Sequence, residues 1–163
     1  MFSNQIRKLV LFLHVSTSVA LIGAVASFLT LAIVGINFPN SETQKACYVA
    51  MNMIAQLVVL PLSILSLVVG IISSLGTPWG LVRFYWVIAK LILTAITLIV
   101  LLLQMQAISQ LAEIATTRNL MPDDLGLQIR IIVHAGGGLG VLVAIMVLSI
   151  WKPRGQINRM LDE

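Results

Sequence analysis

Cysteine occurs once in these 163 residues, as Cys47. No intrachain disulfide can form, and a zinc site built on cysteines is excluded. A lone cysteine in this setting is a small apolar residue near the start of a helix. Acids are almost as scarce: there are six Asp and Glu, and none falls inside the long apolar runs. That absence argues against a cation pump of the carboxylate type. No P-loop, GxSxG, HExxH or dinucleotide fingerprint occurs, so no recognised catalytic constellation is present. Charged residues make up only 10% of the chain and the mean hydropathy is +1.03. Both values lie outside the soluble globular range.

What the chain has instead is four apolar runs, residues 9–36, 48–73, 84–106 and 131–151. A membrane-spanning helix needs about 20 predominantly apolar residues, and each run meets that length. The connections are short, so residues 1–163 read as one integral membrane domain. The fold class expected is all-α, a transmembrane four-helix bundle running up-down-up-down. Arg7 and Lys8 followed by Ala24-Val25-Ala26 resemble a signal peptide. The apolar run continues to Ile36, however, about twice the usual length of such a core, and an uncleaved first helix is expected.

A net charge of +4 raises the question of nucleic acid, but the basic residues sit at helix ends. Retention at a membrane surface is the better reading, and no nucleic-acid partner is expected. Arg7, Lys8, Arg83, Lys152, Arg154 and Arg159 fall on the side of the termini, and Lys45, Arg118 and Arg130 on the other. Six against three puts both termini in the cytoplasm. Pro39-Asn40 closes the first helix, and Ser41 to Gln44 has the form of a capping box. Gly76-Thr77-Pro78 stops the second helix, and Trp79, Phe84, Tyr85 and Trp86 form an interfacial aromatic belt. The third helix should overrun the membrane through Gln106–Thr116. Pro122-Asp123-Asp124 then supplies a turn and a cap, and Lys152-Pro153-Arg154-Gly155 ends the fourth helix.

Polar residues inside the spans show which faces turn inward. At about 100° per residue, Asn52, Gln56, Ser63, Ser66 and Gly70 share one stripe of the second helix. Arg83, Lys90, Thr94, Thr97 and Gln104 share a face of the third. Both stripes should be buried and meet inside the bundle, either tying helices together or serving a ligand. His14 has Thr17 and Ser18 on its face. The opposite face carries Ser16, Ala20, Gly23 and Ser27, a small-residue stripe suited to close helix contact. His134 is followed by Gly137 and Gly138 on its own side, with Gly136 and Gly140 on a neighbouring one. These glycines admit a second helix or a flat cofactor.

The first helix starts on the side of the termini and the fourth on the other, so the two histidines differ in depth by about 20 Å. One haem iron cannot take both. The inner group is His14, Lys90, Arg83 and Ser66; the outer group is His134, Asn52, Gln56 and Gln104. Lys90 has two readings. It either snorkels to the cytoplasmic headgroups or holds an anionic group such as a lipid phosphate, a cofactor propionate or a quinone oxygen.

The stretch from Ser74-Leu75-Gly76-Thr77-Pro78-Trp79-Gly80-Leu81 through Tyr85-Trp86-Val87 and Lys90-Leu91 is distinctive. With His134-Ala135-Gly136-Gly137 and Lys152-Pro153-Arg154-Gly155, it resembles a family of small bacterial four-helix membrane proteins with no assigned activity. The resemblance covers nearly the whole chain and implies a multi-pass protein of the bacterial cytoplasmic (inner) membrane. A weaker similarity is to copper-resistance-D-like and cytochrome b561-like bundles, which place histidines early in the first and fourth helices. Their second fourth-helix histidine would fall at Leu148, and the second helix has none, so two bis-histidine haems are not expected. The similarity leaves a single haem b held by His134 with a methionine such as Met53, or by His14 alone, with a quinone as the other candidate cofactor. The metal, if there is one, is thus a haem iron on His14 or His134. The function expected is non-enzymatic: a membrane component that binds lipid or a partner helix, including a second copy of itself. The alternative is a haem- or quinone-binding redox protein whose site residues are His14, His134 and Lys90.

Overall fold

The computed structural model describes residues 2–38, 41–76 and 84–151. Among them are four helices long and apolar enough to cross a membrane, and no strand. The first is α1 (Asn4–Asn37), opened by the Ser3 hydroxyl, which accepts from the Ile6 amide. The second span joins α2 (Ser41–Ile54) to α3 (Leu60–Leu75) through a π turn at Ala55–Val59. The third is α4 (Tyr85–Thr117), which does overrun the apolar stretch. A 3-10 turn at Pro122–Asp124 leads into the fourth, α5 (Leu125–Trp151). Lipid offers backbone groups no partners, so helices that satisfy every amide internally are what such runs must form. The expected roles of Pro39-Asn40, Thr77-Pro78, Trp79, Arg83 and the segment after Trp151 lie outside the described residues.

The π turn has a cause in the sequence. Pro61 has no N–H, and its ring crowds the carbonyl four residues back. The turn ahead of it widens, so that the Leu60 N–H reaches the Ala55 carbonyl five residues earlier. A π turn holds one extra residue, which rotates everything beyond it by about 100° relative to an unbroken helix. The single stripe expected from Asn52 to Gly70 is therefore split. Asn52 is half-buried and Gln56 is exposed, whereas Ser63 and Ser66 are buried. The burial expected for Gln56 does not occur, because Gln56 lies within the π turn, where a uniform helical pitch no longer holds.

Each span packs against its neighbours in chain order, and α5 returns to α1. His14 lies against Gly70, Ser18 meets Ser66 at 3.0 Å between hydroxyls, and the Gln44 amide donates to the Gly35 carbonyl at 2.9 Å. The start of α1 thus faces the end of α3, and the end of α1 faces the start of α2. On the other side Lys90 Nζ, early in α4, meets Ser149 Oγ, late in α5, at 3.2 Å.

The tightly packed core occupies one end, where Tyr48, Met51, Ala55, Ala107, Leu111 and Ile131 are buried together. The Tyr48 hydroxyl donates to Gln128 Oε1 at 3.0 Å and so links α2 to α5 across the bundle. Gly35 passes so close that a Cβ there would lie 2.8 Å from Tyr48 Cζ. Glycine lets the α1 backbone come in, as small residues do at intramembrane contacts. The stripe Ser16, Ala20, Gly23 and Ser27, expected to make such a contact, is exposed throughout. Within the chain α1 uses the face of Thr17 and Ser18 instead, because that face meets α3.

The connection between α4 and α5 is closed electrostatically. Arg118 grips Asp124 with both guanidinium nitrogens, at 2.7 and 2.9 Å, and the Met121 N–H donates to the same carboxylate at 2.8 Å. The helical stretch Pro122–Trp151 has 30 residues. At 1.5 Å per residue it is longer than a hydrocarbon core of about 30 Å requires.

Two outcomes follow from these contacts. Gly35→Val should lower stability by about 1–3 kcal/mol through overpacking against a tyrosine that cannot retreat. Gly23→Val should be near neutral, since nothing lies within 4 Å of a Cβ there; reversible unfolding in detergent compares the two. The Arg118 hydrogen bonds first, and the Met121 amide second, hold the Asp124 carboxyl below the usual carboxylate range. A depressed carboxylate contributes stability above its unfolded pKa of about 3.9, and that contribution disappears as pH falls towards the folded value. Asp124→Asn should therefore be less stable than wild type at neutral pH, and the gap should narrow on acidification.

Candidate functional site

The residues with chemistry gather in three places rather than in the two groups expected. The first is a cavity of about 290 Å³ at the centre of the bundle, reached by all four spans. Leu21, Val25 and Phe28 wall it from α1, Ala55 and Val59 from the π turn, and Ser63 from α3. The α4 wall includes Thr97, Val100, Leu101 and Gln104, and the α5 wall His134, Gly137, Gly138 and Val141. Among its lining residues there is no Asp, Glu, Lys or Arg. The wall is nearly all hydrocarbon, relieved by a few polar atoms.

Most of those polar atoms are already engaged. The Ser63 hydroxyl donates to the Val59 carbonyl and that of Thr97 to the Leu93 carbonyl, both within their own helices. Thr94, half-buried, likewise donates to the carbonyl of Lys90. Gln104 differs. Its side chain is 7% exposed, and its Oε1 is enclosed without a hydrogen-bond partner among the described residues. A buried polar atom left in that state costs about 1–3 kcal/mol, more than an ordinary hydrogen bond contributes.

His134 supplies a second acceptor. Its Nδ1 lies 2.7 Å from the Arg130 carbonyl. A carbonyl only accepts, so Nδ1 carries the hydrogen, and in the neutral ring Nε2 is left as a lone pair. The glycines that follow His134 are not spent on helix contacts. A Cβ on Gly136, Gly137, Gly138 or Gly140 would meet nothing within 4 Å. Gly137 and Gly138 lower the cavity wall instead, beside the histidine.

A second cluster lies at the α2–α4 seam. The Gln56 amide donates to Asn52 Oδ1 at 2.9 Å, and the Ser109 hydroxyl donates to the same oxygen at 3.2 Å. Asn52 and Gln56 thus pair with Ser109, not with Thr94, Thr97 or Gln104, while Ser63 from the same expected stripe shares the cavity wall with Thr97 and Gln104. Ser109 lies beyond the apolar run and about 100° from the face of Lys90, Thr94 and Gln104, so neither signal points to it.

The third cluster is nearer the termini. Lys90 Nζ lies 4.6 Å from the centroid of the Trp86 ring and 3.2 Å from Ser149 Oγ. His14, Gly70, Ser18 and Ser66 occupy the α1–α3 seam close by. His14 and His134 therefore stand in separate surroundings. Met53, the methionine offered as a second haem ligand, is exposed and does not line the cavity. No group of three metal-binding side chains occurs among the described residues.

Replacing Gln104 by leucine should raise the stability of the purified, delipidated protein by about 1–3 kcal/mol, because a buried acceptor without a partner is removed. Thermal unfolding in detergent would show this, with Ser63→Ala as a near-neutral control. Destabilisation by Gln104→Leu would mean that the amide is satisfied. No protein-family model, curated protein or solved structure matches this chain.

Proposed function

We propose that this protein is a non-enzymatic component of the bacterial cytoplasmic membrane that holds a lipid between its helices. The single observation that carries the reading is the charge-free cavity at the bundle centre. Its volume is close to the lower end of small-molecule sites, about 300 Å³, and its wall suits an apolar body oriented by a few polar contacts. The bundle runs up-down-up-down, in keeping with the short connections and with the pairing of helix ends at Ser18–Ser66 and Lys90–Ser149. Both termini lie in the cytoplasm, which the six-to-three excess of Lys and Arg on that side supports. The bacterial assignment rests on the resemblance carried by residues 74–91 and 134–137. A second copy of the chain is the partner suited to the exposed Ser16, Ala20, Gly23 and Ser27 stripe, and crosslinking in native membranes tests that pairing.

A redox reading is kept for one reason. A histidine whose Nδ1 is fixed by a carbonyl is arranged as metal-binding histidines are, with Nε2 free to ligate. A haem b on His134 would give the purified protein a visible absorption band that His134→Ala abolishes. A colourless preparation from haem-replete cells would remove this reading.

The main reading makes two measurable demands. Reporter fusions at Glu42 and Arg118 should report an external location and one at Pro78 a cytoplasmic one. Gly138→Leu places a side chain where the backbone leaves room, so the protein should fold and retain less co-purifying lipid by mass spectrometry. Gly140→Leu, outside the cavity lining, should retain as much as wild type. Equal retention by both variants would overturn the cavity as the binding site.

A further inference from the structure

We infer that the cavity takes one chain of a lipid with an anionic phosphate head, and that Arg130 holds the head at the cavity's open side. The inference rests on the lipid-binding reading above and names the headgroup. Its basis is one stripe of α5. At about 100° per residue, Arg130, His134, Gly137 and Val141 fall within about 60° of one another. The last three line the cavity, and Arg130 stands one turn beyond them, its carbonyl accepting from His134 Nδ1 at 2.7 Å. Arg130, His134 and Gly137 are exposed, and a Cβ on Gly137 would meet nothing within 4 Å. Followed inward from Arg130, the stripe passes from a cation through an imidazole and a gap to hydrocarbon. A lipid has the same order, a polar head and then a chain.

Depth agrees with this placement. Ser149, which meets Lys90 at one end of the bundle, lies nineteen residues from Arg130 along α5. At 1.5 Å per residue that separation is about 28 Å, close to the ~30 Å thickness of a hydrocarbon core. With Lys90 near one membrane boundary, Arg130 reaches headgroup level at the other. A helical side chain leans towards the N-terminus of its helix, so the guanidinium leans away from the hydrocarbon. No ion pair joins Arg130 to a carboxylate among the described residues. Its paired N–H donors match a phosphate in both geometry and charge. The cavity has the complementary character. No Lys, Arg, Asp or Glu lines it, so a charged head stays out while a chain goes in. Its α5 wall runs from Val133 to Leu142, about 14 Å along the helix. A volume of about 290 Å³ drawn out over that length is a slot for one chain rather than a chamber for a compact ring system.

Phosphate heads occur on glycerophospholipids and on phosphorylated prenyl alcohols, and the test separates these sources while isolating the phosphate. Delipidated protein in detergent is titrated, with native mass spectrometry as the readout. Dioleoylphosphatidylglycerol is paired with dioleoylglycerol, and farnesyl phosphate with farnesol; inorganic phosphate is run alone. In at least one pair the phosphorylated member should bind roughly tenfold more tightly, the equivalent of about 1.4 kcal/mol. Arg130→Gln should erase that preference and leave the unphosphorylated member bound as before, while Arg130→Lys keeps part of it. The Arg130 side chain is exposed and His134 bonds to its backbone, so both variants should fold. Gly138→Leu, which fills the slot, should weaken both members of the pair. Equal affinity within both pairs, or a preference that survives Arg130→Gln, would overturn the headgroup inference and leave the lipid-binding reading standing. Inorganic phosphate bound as tightly as the lipid would do the same, since no chain would then be needed. No binding of any probe, with Gly138→Leu indistinguishable from wild type in retained lipid, would overturn both. Whichever phosphorylated probe binds more tightly identifies the source.

Discussion

In hydrocarbon, the burial of one apolar side chain against another gains little, because lipid tails are as apolar as leucine. Everything that holds this bundle together must come from close approach or from polar contact. At the end marked by Tyr48 the contact is close. Gly35 and Ala32 of α1, Ala55 of the π turn, and Ala107 and Ala115 of α4 carry little or no side chain, and the helices draw together around one tyrosine. The tyrosine is fixed in turn by Gln128, and the adjacent Gln44 secures the Gly35 carbonyl. Towards the termini the links are polar instead: Ser18 with Ser66, and Lys90 with Ser149. The cavity lies between these two regimes. It is a consequence of packing that is dense at one end and sustained by isolated hydrogen bonds at the other.

The helices were legible because their cause is compositional. Four runs without acids, each long enough for a bilayer, leave the backbone no alternative, and the turn at Pro122-Asp123-Asp124 could be read from its own chemistry. The faces were harder to read. Angular arithmetic assumes one pitch, and Pro61 breaks that assumption six residues before it, where Ala55 opens the π turn. Gln56 therefore points away from where the stripe placed it, and Ser63 and Ser66 turn towards α1. Gln44 was assigned to a local cap from its spacing, but its amide nitrogen donates to the Gly35 carbonyl of another helix. Local sequence cannot show that, because the competing partner is brought by tertiary packing.

The candidate site was legible residue by residue and not as a site. Depth groups His134 with Gln104, and angular spacing turns Ser63, Thr97 and Gln104 inward, yet neither says that the four enclose a cavity. The apolar residues that shape the cavity, Leu21, Val25 and Phe28 among them, carry no signal separating them from any other leucine, valine or phenylalanine in a span. The α5 glycines show the same difficulty from the other side. Their spacing fits a helix contact, whereas the structure leaves open space beside each of them. A glycine records that room is needed and does not record for what.

Lys90 shows how a charge inside an apolar run is held by groups of its own and the neighbouring helix. The two readings open from sequence were a stem that snorkels to the headgroups and a cation that waits for an anion. The structure offers a third arrangement, in which the ammonium lies over the Trp86 ring one turn earlier and donates to Ser149 across the α4–α5 seam. Trp86 is itself buried, so its face is shielded from solvent, where cation–π attraction is stronger than at an exposed site. Ser149 in turn donates its own hydrogen to the Ile145 carbonyl, which orients its lone pairs towards the lysine. The ammonium thereby has a ring face on its own helix and a hydroxyl on the next. Such an arrangement fastens α4 to α5 within apolar runs that carry no Asp or Glu of their own.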